Sequence, residues 1–521
     1  MHAPVPGSSR GPPILPEAWQ SGAGARAAAA AQNEAILAGK PPRQSVDYLV
    51  ASLSDMKLAG DSESGIGIVM HNRQHSQMSA SDLVRVDPTH LLPPELMESI
   101  FCFLDSHSLL QAAAVSGGWR TAATSQAVWR QVFRREYSRT SSPTSRVASR
   151  TARGLGKDTA DQDWRKLYKT RHLIDQRWKR GEAAAIYLKG HKESVYCVQF
   201  DEQKIITGSR DNTIRVWDTH TYQCIRKLSS PNNHRERDEL DFKEPEPIGI
   251  QPLYILDTKG PDPPAKQSLR EYHNASILCL QYDDDLLVSG SSDFSAIVWN
   301  IKDDYRPIFR LRGHTAGVLD VCIDDRYIIT CSKDTTIKIW DRFTGRLTRT
   351  LTGHRGPVNA VQIRGNLLAS ASGDGMSKLW RLEDGMCIKE FSSQDRGLAC
   401  VEFSEDGRTI YSGGNDQLVY EFDAVTGSTV RQLEGHRDLV RSLYLDSANN
   451  RIISGSYDLS IKVWDTKGKD NGPLIDLQGW TTSWMLSAKS DYRKIVCASQ
   501  DGRVLIVDFG YGIPDVDALE A

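Results

Sequence analysis

The chain has 521 residues, 39% of them hydrophobic and 25% charged, which is enough apolar content for large folded cores. Its 64 Lys plus Arg and 66 Asp plus Glu leave a formal net charge of −2, so the balance gives no global reason to expect nucleic acid or an acidic membrane surface. No run approaches about 18 apolar residues, and no basic start leads into an apolar core, so neither a membrane span nor a secretory signal is expected.

Residues 1–85 read as a mostly disordered N-terminal region, with seven of the 22 prolines before residue 43 and an alanine run at Ala27–Ala31. Within it, Ser45–Leu58 spaces its apolar residues as one short amphipathic helix. That helix is either solvated and loosely ordered, the simpler reading, or a docking helix through which the chain forms a homodimer.

Residues 86–137 are denser. Leu96, Ile100 and Leu104 recur four residues apart, which predicts one helical face. Pro93-Pro94 suits a first turn. Asp105–Ser108 breaks that helix and caps the next, and Gly117-Gly118 breaks the chain again. Residues 138–182 are a linker: a Ser/Arg/Thr-rich segment, 138–159, expected as a flexible loop, then a basic helix over Asp163–Arg180 with a solvated face. No nucleic-acid motif accompanies those charges.

From residue 183 to the end the chain repeats itself. The tags are a Gly-His pair, an apolar strand, an aspartate in a turn, and a strand ending Trp-Asp. The turn aspartates Asp211, Asp293, Asp334, Asp374, Asp416, Asp458 and Asp501 lie 82, 41, 40, 42, 42 and 43 residues apart. A period near 41 with these tags is the WD-repeat signature of a beta-propeller. The long first interval is one period plus an insertion, 229–270, which is expected to emerge on the channel-mouth face. The fold class is therefore an all-β, seven-bladed WD-repeat propeller preceded by a small α-helical domain and a helical linker.

Sets such as His191, Thr207, Asp211 and Trp217 resemble a catalytic triad only in composition. They recur at the repeat period, which predicts a buried structural network in which the aspartate reaches the Ser or Thr and, through it, the Trp. Blades five (Gln394, Phe422) and seven (Trp480, Cys497, Val507) lose the tags and should be less rigid. Ala183–Leu188 should pair with Arg503–Asp508 and close the ring. The nine cysteines include no CxxC pair and read as buried hydrophobes of an intracellular protein, cytoplasmic or nuclear. No catalytic residues, metal ligands or cofactor motifs are found.

The pattern Leu92-Pro93-x-Glu95-Leu96, then Ile100, Leu104, Leu109, Val115, Trp119 and Trp129, resembles the F-box. The resemblance implies docking on the Skp-family adaptor, and through it the cullin, of an SCF-type ubiquitin ligase, with Leu92, Pro93, Glu95, Leu96, Ile100, Leu104 and Leu109 as contacts. An F-box before seven WD repeats is similar to a non-catalytic SCF substrate receptor. The alternative is a propeller scaffold with no ubiquitin role.

Two ring sets describe the channel mouth. The residues before each turn aspartate are Arg210, Ser292, Lys333, Gly373, Asn415, Tyr457 and Gln500. Those at the start of each innermost strand are Tyr196, Leu278, Leu319, Asn359, Ala399, Arg441 and Met485. Together they are cationic and polar, without a carboxylate, which suits a phosphorylated protein substrate. The rim resembles that of the beta-TrCP class, the class of fly Slimb, which reads a doubly phosphorylated Asp-Ser-Gly-x-x-Ser degron for proteasomal degradation. By that resemblance Tyr196, Arg210, Ser276 and Ser292 hold the first phosphoserine. Arg396, Gly397 and Asn415 hold the second, and Lys333, Arg441 and Tyr457 hold the acidic residue. Blade seven departs from the class, with Ser483 and Met485 where it has a further arginine. A receptor for a different phospho-motif is therefore the runner-up.

Overall fold

The computed structural model describes residues 87–137, 154–159, 161–229, 248–258, 272–393, 397–468 and 470–520. Ser45–Leu58 and residues 138–153 lie outside the described residues.

Helix α1, Pro94–Phe101, begins with a proline at its first position, where a missing N–H is no loss. It ends at Phe101, so Leu104 falls beyond the helix rather than on its face. The Asp105 carboxylate accepts from Ser108 N at 2.7 Å and starts α2, Ser106–Ala112. Gly117-Gly118 does not break the chain but opens α3, Gly117–Ala123. There the Ser116 hydroxyl accepts from Trp119 N at 3.3 Å, an N-cap that offsets part of the glycines' helix cost. Helix α4, Gln126–Tyr137, is pinned by the Trp129 indole, which donates to Ala123 O at 2.9 Å.

Helix α5, Trp164–Arg180, is capped by Asp163 and by Gly181 at φ +68°. Arg165, Lys166, Lys169, Lys179 and Arg180 are exposed as expected, but Arg171 and Arg177 are turned onto the propeller. Arg171 is 2% exposed. It donates to Tyr492 O at 3.1 Å and to Asn449 Oδ1. Arg177 donates to Phe509 O and Tyr511 O at 3.2 and 2.6 Å. Trp178 stacks on Phe509 at 3.7 Å, and Arg451 lies 4.0 Å over the Trp178 ring. These charges satisfy carbonyls at the end of the propeller opposite the turns that carry the repeat aspartates. One apolar cluster consequently runs from Phe101, Trp129 and Phe133 through Trp164 and Trp178 to Trp480, Phe509 and Leu519.

The end of the expected loop is also packed. Gly154 has φ +60°, and a Cβ there would lie 2.5 Å from the Tyr492 ring. Gly156 N donates to Leu519 O at 2.9 Å, and Asp158 pairs with Arg130 at 2.7 Å. Residues 138–159 are thus not all free of contacts, since Gly154, Gly156 and Asp158 pack on the propeller's end and the helical domain. Replacing residues 140–151 with a short Gly/Ser linker should change stability and peptide affinity by less than about 0.5 kcal/mol. Thermal melts and peptide titrations check this, and a larger loss would show that the stretch makes contacts.

Among the described residues the strands form seven antiparallel blades, in the chain order expected. Ala184–Leu188 pairs antiparallel with Val504–Asp508, Ala184 opposite Asp508, so the first strand closes the last blade. Five blades contain the predicted polar network, but with the histidine in the middle. His191 Nδ1 lies 3.0 Å from Asp211 Oδ2 and Nε2 lies 2.8 Å from Thr207 Oγ1, which accepts from Trp217 Nε1 at 3.0 Å. The same chain recurs from His273, His314, His354 and His436. Burial lowers the pKa of His191, His314 and His354. Burial alone would raise Asp211, but the His191 and Thr213 bonds hold it well below the usual carboxylate range. In blade five the Tyr420 hydroxyl donates to Asp416 at 2.7 Å, and in blade seven Thr482 donates to Asp501 at 3.0 Å.

The insertion does not simply extend over the channel mouth. Its described middle runs along the outer edges of blades six and seven. Ile248–Gly249 pairs antiparallel with Leu477–Gln478, and Ile255–Thr258 runs parallel to Ala185–Leu188. Between them Leu253 N donates to Ala183 O at 2.6 Å, and the Trp480 indole donates to Ile250 O at 2.8 Å. Trp480, which stands where other blades have the tag histidine, is thus turned to anchoring this strap. The strap covers the outer sheet edges of blade six and of blade seven, where the propeller's first and last strands meet.

Candidate functional site

The rim is built by a repeated backbone bond. The N–H of each residue before a turn aspartate donates to a carbonyl in the loop entering its blade. Arg210 reaches Ser194 O at 2.8 Å, and Ser292, Lys333, Asn415, Tyr457 and Gln500 reach Ser276, Gly317, Gly397, Leu439 and Trp484 at 3.0 Å. Gly373 reaches Pro357 O at 2.8 Å. These bonds place six side chains and the bare backbone of Gly373 around one face.

Of the predicted residues, Arg210, Ser276 and Ser292 come together: Ser276 Oγ donates to Arg210 O at 3.4 Å and Ser292 Oγ to Ser276 O at 3.5 Å. Gly397 and Asn415 are joined by their backbone bond, whereas Arg396 lies outside the described residues. Tyr196 and Arg441 line the central channel, and Arg441 Nη1 donates to Ala399 O at 3.3 Å. Lys333 is exposed on blade three.

Blade seven corrects the sequence reading. Each innermost strand shifts register after its first residue, and here the shift falls between Met485 and Ser487. Leu486 therefore lines the channel and Met485 is fully buried. Trp484, overlooked between Ser483 and Met485, stacks on Tyr457 at 4.4 Å and 9° and is 42% exposed. Counting back 16 residues from Gln500, the spacing that joins Arg210 to Ser194 and Ser292 to Ser276, would have found it.

Deeper in the channel Asp320 accepts from Val321 N at 2.9 Å and from Val361 N on the next blade at 3.0 Å, and burial pushes its carboxyl up to about 6. Lys489 meets Glu402 at 3.2 Å. Asp320 ties blade three to blade four, and the Lys489–Glu402 pair reaches from blade seven to blade five. Among the described residues no cluster could hold a metal ion.

The second candidate surface lies on the helical domain. Leu96 and Ile100 are about half exposed at 51% and 49%, with Pro93 and Glu95 beside them also exposed. Leu109 is instead a core residue at 1% exposure, and Leu92 and Leu104 are partly buried against the core. The sequence pattern missed Phe103, which the turn after α1 throws outward at 84% exposure, and the exposed Leu110; Val115 was part of the pattern and is exposed. So many large apolar side chains on one small domain mark a docking surface. Helix α5 meets the turns joining first to second strands, and the cationic rim is made of turns joining second to third strands. The two surfaces therefore lie at opposite ends of the blades.

Comparison with known proteins supplies the family. The family model "F-box-like" matches residues 89–135. The model "WD domain, G-beta repeat" matches 184–218, 266–300, 305–341, 345–381, 385–423 and 427–465, six segments that stop short of the degenerate last repeat. An Arabidopsis thaliana guanine nucleotide-binding protein subunit beta is 26% identical over 53% of this chain and 82% of its own. A "Probable E3 ubiquitin ligase complex SCF subunit sconB" of Arthroderma benhamiae is 31% identical over 55% of this chain, which spans about half, 47%, of that relative. The similarly named scon-2 of Neurospora crassa is 25% identical over 72% of this chain and 73% of its own. The chain is an F-box/WD-repeat protein: an F-box-like helical domain fused by one continuous core to a seven-bladed WD propeller.

Proposed function

We propose that the chain is the substrate-recognition subunit of an SCF-type ubiquitin ligase. Leu96, Ile100, Phe103 and their neighbours dock a Skp-family adaptor and, through it, a cullin. The rim captures a phosphorylated protein. The observation that carries the reading is the placement of an exposed apolar F-box surface and a cationic rim at opposite ends of one continuous core. The SCF names of the sconB and scon-2 relatives support it. Such a receptor is not the catalyst. It acts by proximity, raising the local concentration of substrate lysines near a charged conjugating enzyme.

For the ligand we propose an Asp-pSer-Gly-x-x-pSer-like peptide. Arg210, with Tyr196, Ser276 and Ser292, takes the first phosphate. Arg396, Gly397 and Asn415 take the second, and Lys333, Arg441 and Tyr457 take the acidic residue. Two phosphates bring about three to four negative charges, and charge-assisted bonds contribute roughly 1.5–3 kcal/mol each. Arg210→Ala should therefore weaken binding about tenfold or more, and affinity should fall with salt. Fluorescence polarisation with labelled peptides measures both. Equal affinity for phosphorylated and unphosphorylated peptide, or no loss in Arg210→Ala, would sink the assignment.

A further inference from the structure

The two ring sets at the channel mouth omit a third. In five blades the serine that ends the second strand donates its hydroxyl to a backbone carbonyl of the loop entering that blade. Ser209 reaches Glu193 O at 3.0 Å, Ser291 reaches Ala275 O at 3.1 Å and Ser332 reaches Ala316 O at 3.1 Å. Ser372 reaches Gly356 O at 3.0 Å and Ser456 reaches Asp438 O at 3.2 Å. In blades two to four this ring presents only Ala, Ala and Gly. In blades one and six it presents carboxylates, so the rim is not free of acid as the first two rings suggest.

Glu193 is the one beside a key cation. Its Oε2 lies 3.6 Å from Arg210 Nε, with the glutamate side chain 16% exposed and the arginine 60%. The adjacency does not depend on one rotamer, because Arg210 N is bonded to the carbonyl of Ser194, the next residue, at 2.8 Å.

We propose that Glu193 is a specificity-determining residue of the rim, the resident anion on Arg210 that an incoming phosphate must displace. The inference rests on the phosphopeptide reading given above. A peptide carboxylate that replaced Glu193 would exchange one monoanion for another and gain little. A phosphoserine brings about −1.5 to −2 charges and three acceptor oxygens, so it fills the guanidinium fork better than the glutamate does. Glu193 then rejects acidic but unphosphorylated sequences at this position. It also keeps phosphopeptide affinity moderate, so that bound substrate leaves faster.

The test is fluorescence polarisation with two peptides, the doubly phosphorylated one and a version carrying Glu in place of each phosphoserine. The proteins are the full chain, Glu193→Gln, Arg210→Ala and the double variant. Glu193→Gln should bind the phosphopeptide about two- to fivefold more tightly, from loss of the surface ion pair that competes with phosphate for Arg210. It should also bind the Glu peptide measurably. In the Arg210→Ala background Glu193→Gln should change nothing, because the arginine carries the effect. Unchanged or weaker binding by Glu193→Gln, or an equal gain without Arg210, would overturn the inference while wild-type phosphopeptide binding kept the receptor reading. Failure of the wild-type chain to bind the phosphopeptide would instead overturn that reading, and this inference with it.

Discussion

Changing Leu96 and Ile100 together to aspartate will abolish co-purification with a Skp-family adaptor and leave the propeller folded. Both side chains are about half exposed on α1, so neither supports the domain's own core, which is built on Met97, Phe101, Leu109 and Trp129. Burying a Leu or Ile at an interface contributes about 1.5–3 kcal/mol. The double change forfeits two such contributions and forces two carboxylates into the same contact, a further cost because nothing there pairs with them. Together these exceed about 3 kcal/mol, or more than about 100-fold in affinity. Pull-down with purified adaptor reads the loss, and the thermal melt of the variant reads the fold. Leu109→Asp would be uninformative, since that side chain is internal and its change would unfold the domain. Retained binding by the folded Leu96/Ile100 variant would contradict the docking surface.

The second large effect is on stability. Trp480→Ala should destabilise the propeller by about 3–5 kcal/mol, the usual cost of deleting a fully buried tryptophan. The indole is fully buried and donates to Ile250 O at 2.8 Å, and the residue's own carbonyl accepts from Tyr187 Oη at 2.7 Å. Its loss loosens the strap from blades six and seven and opens a cavity in the cluster that joins the propeller to the F-box. The chain is not a single two-state unit, so the reading is a drop in the melting midpoint and earlier proteolysis within the strap. Trp484→Ala, four residues on, removes only an exposed stacked ring and should cost no more than about 1.5 kcal/mol. Equal melts for the two variants would show that Trp480 and the strap it anchors add nothing to the propeller's stability.

The order of the blades was legible because it rests on a period. Turn aspartates about 41 residues apart, each with its tryptophan six residues later, mark the same turn in every full repeat. The closing strand Ala184–Leu188 followed from the same count. Where the tags decay, counting failed. With Trp480, Cys497 and Val507 in place of the tag residues, blade seven was misread by one position, which put Met485 on the channel and hid Trp484. The strap was not legible at all. Its strands are two and four residues long, carry no repeat, and pair with edges more than 200 residues later in the case of Leu477. Among the basic residues of α5, Arg171 and Arg177 were not told apart from their solvated neighbours because the sequence does not show which carbonyls face them. Glycines at 117 and 118 were read as a break because helix cost was weighed without the Ser116 cap. On the F-box, the resemblance gave the apolar pattern but not which face is already filled, so Leu109 was counted as a contact though it is core, and the exposed Phe103 went unnoticed.

The proposed function requires one chain to hold an adaptor at one end and a phosphorylated peptide at the other. The most direct measurement is fluorescence polarisation of a labelled Asp-pSer-Gly-x-x-pSer peptide on the purified complex of the full chain with a Skp-family adaptor, beside the chain alone and the unphosphorylated peptide. The account predicts that the complex forms and binds the phosphopeptide with the affinity of the free chain, at least about tenfold more tightly than the unphosphorylated peptide. Competition between adaptor and peptide, or equal affinity for the two peptides, would contradict it.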